Sequence, residues 1–238
     1  MGASLHAIFD CAAWLAAGLA GLWLSRVRRL QFPKQSTALS YIAALFFGAG
    51  LGAYLFGTLN LWLSGLPGVA RSVEGAIAGG IASIELYKWR HGIAQRTGAR
   101  FALPLAVGIA VGRLGCYVAG LDDFTYGTPT SLPWAHDFGD GILRHPVQLY
   151  ESAAMAGFAA AYAVAVLRHR AFVIANGFYL ALAFYGLQRF AWEFLKPYAG
   201  LLGPLTLFHL LSLGIVAYAA VMLGSAPAAK VIHERAVA

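Results

Sequence analysis

Seven stretches of roughly 20 apolar residues, parted by short polar breaks, leave few folds open to this sequence. They run over 4–25, 38–63, 69–88, 101–120, 146–167, 172–195 and 201–223. A helix needs about 20 apolar residues to cross roughly 30 Å of hydrocarbon, and only helices or closed barrels satisfy their backbone polar groups there. The pattern predicts an all-α membrane protein of seven transmembrane helices. Composition points the same way, with 11% of the 238 residues charged and 60% hydrophobic, where a water-soluble globule carries about a quarter charged. The mean hydropathy of +0.67 and the 28 glycines suit closely packed spans, whose contacts use small residues. A soluble enzyme, a disordered tail and a secreted disulfide scaffold are excluded. The first stretch lacks a basic leader and carries Asp10, so it is expected to be a retained span and not a signal peptide.

Seventeen Lys and Arg against ten Asp and Glu give a net charge of +7. In a soluble protein that excess would suggest nucleic acid; here the basic residues gather in loops, so topology explains them and no nucleic-acid partner is expected. Arg26, Arg28, Arg29 and Lys34 follow the first stretch, Lys88, Arg90, Arg96 and Arg100 the third, Arg168 and Arg170 the fifth, and Lys230 and Arg235 close the chain. The opposite side holds only Arg71, Arg144 and Lys196. Since cytoplasmic loops collect Lys and Arg, the N-terminus is expected outside and the C-terminus in the cytoplasm. Residues 1–238 read as a single transmembrane domain with one long external loop, 121–145, whose turn-forming Gly127, Pro129, Pro133 and aspartates suggest an ordered surface segment. Cys11 and Cys116 fall within spans as small packing residues, with no spacing that signals a disulfide, a metal or a cofactor.

An ionisable side chain inside a bilayer needs a partner or water. Counting about 1.5 Å per residue from the external ends, Asp10, Glu74, Arg113, Glu151, Arg189 and His209 fall at a common depth of roughly 7 to 13 Å. They either line one polar cavity or form separate contacts between helices. Arg189 and Glu193, spaced i and i+4, can also pair with each other. Glu85 lies at the cytoplasmic end beside Lys88, where snorkelling suffices. Two arginines in such a cavity point to an anion, because guanidinium matches phosphate oxygens, and the phosphates at that depth belong to phospholipid headgroups.

The run RHPVQLYE, Arg144 to Glu151, places His145 just outside the fifth helix and brings Gln148, Tyr150 and Glu151 into the membrane together. Pro146 suits the start of that helix. Interfacial anchoring would account for Tyr150, whereas Gln148 and Glu151 go deeper than anchoring requires.

GRLGCYVAG with Gly127 downstream, then PTSLPW, RHPVQLYE and Arg189-x-x-x-Glu193, in this order, resemble the prolipoprotein diacylglyceryl transferases, over most of the chain from about residue 45 to 215. The resemblance implies seven spans in the bacterial plasma membrane with the N-terminus outside. It implies transfer of the diacylglyceryl group of phosphatidylglycerol to the lipobox cysteine thiol carried by a preprolipoprotein signal peptide, with glycerol-1-phosphate leaving and no cofactor. Arg113 matches the arginine of the family's signature and Arg189 that of its sixth span, which makes both catalytic. Gln148, Tyr150, Glu193 and Gly127 are the implied substrate contacts, and Asp122 or Asp123 corresponds loosely to a family glutamate; His209, outside these motifs, is either a further substrate contact, from its depth, or a core histidine hydrogen-bonded to a neighbouring span.

The chain also departs from the family. Ala78-Gly79-Gly80 stands where members carry His-Gly-Gly, Cys116 replaces the signature asparagine, Gly50 replaces an arginine, and about three extra residues precede Gly127. His145, Glu151 or His209 is then the replacement base, His145 first from its place at the rim. The competing reading is a non-catalytic phospholipid-binding or transport protein that kept the anion pocket. A retinal photoreceptor is excluded, since Leu201 to Leu223 holds no lysine.

Overall fold

The computed structural model describes residues 2–28 and 38–225; Arg29, Lys34, Lys230 and Arg235, which enter the charge count, lie outside them. Each apolar stretch is a helix: α1 (Gly2–Arg28), α2 (Ala38–Leu63), α3 (Val73–Arg90), α4 (Ala102–Ala119), α5 (Val147–Leu167), α6 (Ala171–Glu193) and α7 (Leu207–Gly224). Six of the seven, all but α3, are long and apolar enough to cross a membrane. The exception places Glu74, Glu85, Lys88 and Arg90 within its 18 residues. Outward side chains are large and apolar, as on α1, where Trp14, Leu15 and Leu19 are 66%, 70% and 67% exposed. A face of that kind is built for hydrocarbon.

Two helices start later than their apolar stretches. At α3 the delay comes from Ser72, whose Oγ accepts the Gly75 N–H at 3.1 Å and caps the helix. At α7, Leu201 N–H bonds back to Leu205 O at 2.7 Å in a turn through Gly203, at φ +59°, and Thr206 Oγ1 then accepts the His209 N–H at 3.4 Å.

The chain divides into two compact units. The first comprises α1, α4, α5, α6, the 121–145 loop and the part of α7 from Val216. Its core is the fully buried set Ala102, Ala106, Val147, Met155, Val166, Ala181 and Leu182, where α4, α5 and α6 meet. Along the α1–α4 contact, Gly108, Gly112 and Gly115 face Ala17, Ala13 and Phe9 in turn. A methyl group at Gly115 would lie 2.6 Å from Phe9 Cβ, so this glycine permits the close approach that puts the start of α1 beside the end of α4.

The loop is ordered by a small ribbon, β1 (His136–Asp137) against β2 (Leu143–Arg144), in antiparallel register His136 to Arg144. Asp137 Oδ1 accepts the N–H groups of Gly139, Asp140 and Gly141 at 2.8, 3.1 and 3.0 Å, an aspartate-built turn. Arg144 Nη1 donates to Asp140 Oδ1 at 2.6 Å and its guanidinium lies 5.1 Å from the Tyr126 ring centre. These contacts order the segment and add two short strands to an otherwise helical protein.

The second unit holds α2, α3 and α7 through Ile215. Here Gly48 and Gly52 of α2 meet Gly79 and Gly75 of α3 backbone to backbone, so that a Cβ on any of them would strike the partner's carbonyl oxygen. The Gly75-to-Gly79 spacing thus serves packing inside the chain. Ser83 Oγ adds a bond to Ala44 O at 2.7 Å. Gly50, by contrast, faces open space. Replacing Gly79 with Val is expected to force α2 and α3 apart and cost at least about 1–3 kcal/mol, seen as a lower unfolding temperature in detergent, while Gly50→Ala leaves that temperature unchanged.

Candidate functional site

The inward stripe of α5 runs through Gln148, Glu151, Ser152 and Met155, all buried, because residues at i, i+3, i+4 and i+7 share one helix face. Ser152 Oγ bonds to Ala110 O of α4 at 2.7 Å, fixing the height of α5 against α4. That height sets Glu151 opposite Arg113, one turn beyond Ala110, and the two form an ion pair through Arg113 Nε and Glu151 Oε2. From α6, Arg189 Nη1 reaches Glu151 Oε1 at 2.6 Å and its Nη2 reaches Glu193 Oε2 at 2.8 Å. Past the end of α6, the Lys196 N–H bonds to Glu193 O and the chain folds back so that Lys196 Nζ donates to Glu151 Oε1 at 3.0 Å.

Glu151 is fully buried and is held by three cations from α4, α6 and the turn after α6. Among these five side chains, three positive groups meet the two carboxylates of Glu151 and Glu193. Arg189 and Glu193 pair within their helix, and Arg113, Glu151 and Arg189 converge from three helices as buried ion pairs. Burial is the main reason the Lys196 ammonium is pulled down to about 8; neighbouring Arg189 adds to the effect and Glu151 opposes it.

Around this centre lie the other expected residues of the first unit. Gln148 is fully buried, and neither atom of its amide has a partner among the described residues. Polar groups so buried are normally bonded, so an amide in this state is suited to a polar ligand. His145 Nδ1 is 3.4 Å from Tyr150 Oη, which accepts the Trp134 Nε1–H at 2.7 Å; the Tyr150 ring also packs on Trp192 at 5.3 Å. Gly127 acts through its backbone, whose N–H bonds to His145 O at 3.1 Å, and a Cβ there would stand 2.6 Å from His145 Cβ. Asp122 is exposed and Asp123 half-buried.

Asp123 takes part in a second cluster. Its Oδ1 lies 3.5 Å from His6 Nε2, and its Oδ2 accepts from Thr125 Oγ1 at 2.7 Å. His6 Nδ1 is 3.2 Å from Asp10 Oδ2, and Cys116 Sγ lies 3.9 Å from His6 Nε2 and 3.8 Å from Arg113 Nη1. The two cysteines are not the buried packing residues expected from sequence: Cys11 is exposed and Cys116 half-buried, because Cys11 faces outward on α1 whereas Cys116 turns to His6 and Arg113. Glu74 and His209 lie in the second unit. Ser212 Oγ donates to Glu74 Oε1 at 2.5 Å, and His209 Nδ1 accepts the Thr206 N–H at 3.0 Å.

Sequence reasoning missed Lys196, counted only as a loop charge, and His6, though its i,i+4 spacing to Asp10 was a usable signal.

Residues 11–224 match the family described as prolipoprotein diacylglyceryl transferase. A phosphatidylglycerol–prolipoprotein diacylglyceryl transferase of Rhodospirillum centenum is 33% identical over 59% of this chain and 57% of its own length. Proteins of the same name from Geobacter sulfurreducens and Methylococcus capsulatus are 35% and 30% identical, over 83% and 88% of this chain and 77% and 87% of their own lengths. No solved structure matches significantly. Apolar helices of spanning length around a charged interior site define a multi-pass membrane protein. The chain belongs to the prolipoprotein diacylglyceryl transferase family.

Glu151→Gln leaves three cations facing a neutral amide and is expected to destabilise the protein by about 3–5 kcal/mol, measured by thermal unfolding in detergent. As pH rises through about 8, Lys196 is expected to give up its proton, which removes one of the three positive charges around Glu151, so affinity of the site for an anion should fall on the alkaline side. Lys196→Arg keeps the charge and should remove that step from an anion-binding titration.

Proposed function

We propose that this protein transfers the diacylglyceryl group of phosphatidylglycerol to the lipobox cysteine of a preprolipoprotein signal peptide, releasing glycerol-1-phosphate, at the outer face of the bacterial plasma membrane. The observation that carries the reading is the convergence of Arg113, Arg189 and Lys196 on Glu151. A phosphodiester headgroup carries one negative charge, which guanidinium and ammonium donors of this kind attract. When its bond to the glycerol carbon breaks, the leaving phosphate gains a second negative charge, and preplaced cations stabilise charge that appears only in the transition state.

In this reading Arg113 and Arg189 hold the phosphate. Glu151, both of whose oxygens already serve cations, keeps them in position. Gln148 supplies an amide for a headgroup hydroxyl or ester, and His145 with Tyr150 stands at the rim near the 121–145 loop, where the protein substrate enters. The loop-charge asymmetry supports an N-terminus outside and α3 as a seventh crossing, despite its four charged residues. Ala78, in place of an imidazole, favours as second reading a protein that holds phospholipid without consuming it.

With purified protein, phosphatidylglycerol and a lipobox peptide, lipidated peptide should form. Arg113→Ala and Arg189→Ala should each slow its formation about 100- to 1,000-fold. Wild-type rates in both variants would refute these roles, and phospholipid that co-purifies but is never consumed would select the second reading.

A further inference from the structure

The transfer needs a thiolate, since the thiolate is the nucleophilic form of cysteine, and the chain has Ala78 where the resemblance calls for a basic imidazole. Close to Arg113 the structure assembles three side chains that the reaction as described leaves unused. The ligand atoms of His6, Cys116 and Asp123 all lie within 4.8 Å of one another. Tetrahedral zinc with ordinary bond lengths separates a nitrogen from an oxygen ligand by about 3.4 Å and from a sulfur ligand by about 3.6 Å. The corresponding separations here are 3.5 Å for His6 Nε2 to Asp123 Oδ1 and 3.9 Å for His6 Nε2 to Cys116 Sγ.

The surroundings are those of a metal site. His6 Nδ1 is placed to donate to Asp10 at 3.2 Å, which orients Nε2 toward Cys116 and Asp123; carboxylate partners of this kind commonly orient metal-bound imidazoles. Thr125 holds the far oxygen of Asp123. A sulfur, a nitrogen and a single carboxylate favour zinc over magnesium or calcium. The His6 and Asp123 side chains retain 16% and 22% of their exposure, so the cluster can be reached.

We propose that His6, Cys116 and Asp123 bind one zinc ion whose open fourth position takes the thiol of the protein substrate. The proposal rests on the diacylglyceryl-transfer reading above and supplies its nucleophile. Three protein ligands with one open place is the arrangement of catalytic zinc. On coordination the substrate thiol releases its proton to water, because a metal-bound thiol is deprotonated. The thiolate sulfur forms a bond to the glycerol carbon that bears the phosphate; the carbon–oxygen bond breaks and its electron pair leaves on glycerol-1-phosphate. The product thioether, a weaker ligand, then departs from the metal. Arg113 Nη1 stands 3.8 Å from Cys116 Sγ, which sets the sulfur on the metal next to a cation that holds the leaving phosphate.

Protein purified without a histidine tag and incubated with zinc should hold one ion per chain by elemental analysis, and His6→Ala, Cys116→Ser and Asp123→Asn should lose it. Asp10→Asn should weaken zinc binding about 10- to 100-fold. Cobalt in place of zinc should give a thiolate-to-metal charge-transfer band that Cys116→Ser abolishes. The wild-type band should grow when a lipobox peptide bearing cysteine is added and not when its serine counterpart is. The band reports ligation in folded wild-type protein, so the test survives a variant that fails to fold. Removal of zinc should stop transfer and its return restore it. Equal transfer rates with and without zinc, or a cobalt spectrum indifferent to the peptide thiol, would overturn the proposal while leaving the transfer reading intact. A band that responds to the thiol in a protein that never consumes phosphatidylglycerol would uphold the metal site and overturn the transfer reading.

Discussion

The carboxylate of Glu151 sits without solvent access between Arg113, Arg189 and Lys196, and the geometry of the first unit follows from keeping that group satisfied. Removing a charge from water is expensive, and a buried ion pair is recovered only with good geometry and further hydrogen bonds. Here those demands fix the height of α5 on α4, through Ser152, and fold the chain after α6 back toward its own last turn. With the cations held in advance, an arriving phosphate would meet donors already in place, which is the condition under which electrostatic stabilisation is most effective.

Glycine acts in two ways around this arrangement. In the second unit, Gly48, Gly52, Gly75 and Gly79 let two helices touch through their backbones, which fastens α3 although it carries more charge than the other helices. In the first, Gly115 admits Phe9 and sets His6 beside Cys116. The same residue type thus secures a helix pair in one place and brings two reactive side chains together in another.

The helices were legible in the sequence because a span has a length that apolar runs reveal. The starts of α3 and α7 were not, since Ser72, Gly203 and Thr206 interrupt runs that remain apolar throughout. Arg113, Glu151 and Arg189 stood out as charges in apolar surroundings, and the structure brings them together. Lys196 escaped notice because it lies just past the apolar run and looks like any loop cation. The shared depth that grouped Glu74 and His209 with the arginines reports height along a helix and says nothing of the direction a side chain takes; Ser212 bonds to Glu74 and Thr206 to His209. His6, Cys116 and Asp123 form no motif at all, because a contact between α1 and α4 across 110 positions assembles them.

The wide separation of Arg113 from its partners along the chain bears on how the protein is made. Synthesis proceeds from the N-terminus, so α4 leaves the ribosome before α5, whose Glu151 lies 38 positions beyond Arg113. During that interval an arginine in a lone span would face lipid at a cost of about 2.5–3.5 kcal/mol. Entry of α4 and α5 as a pair, with Arg113 already against Glu151, would avoid that cost.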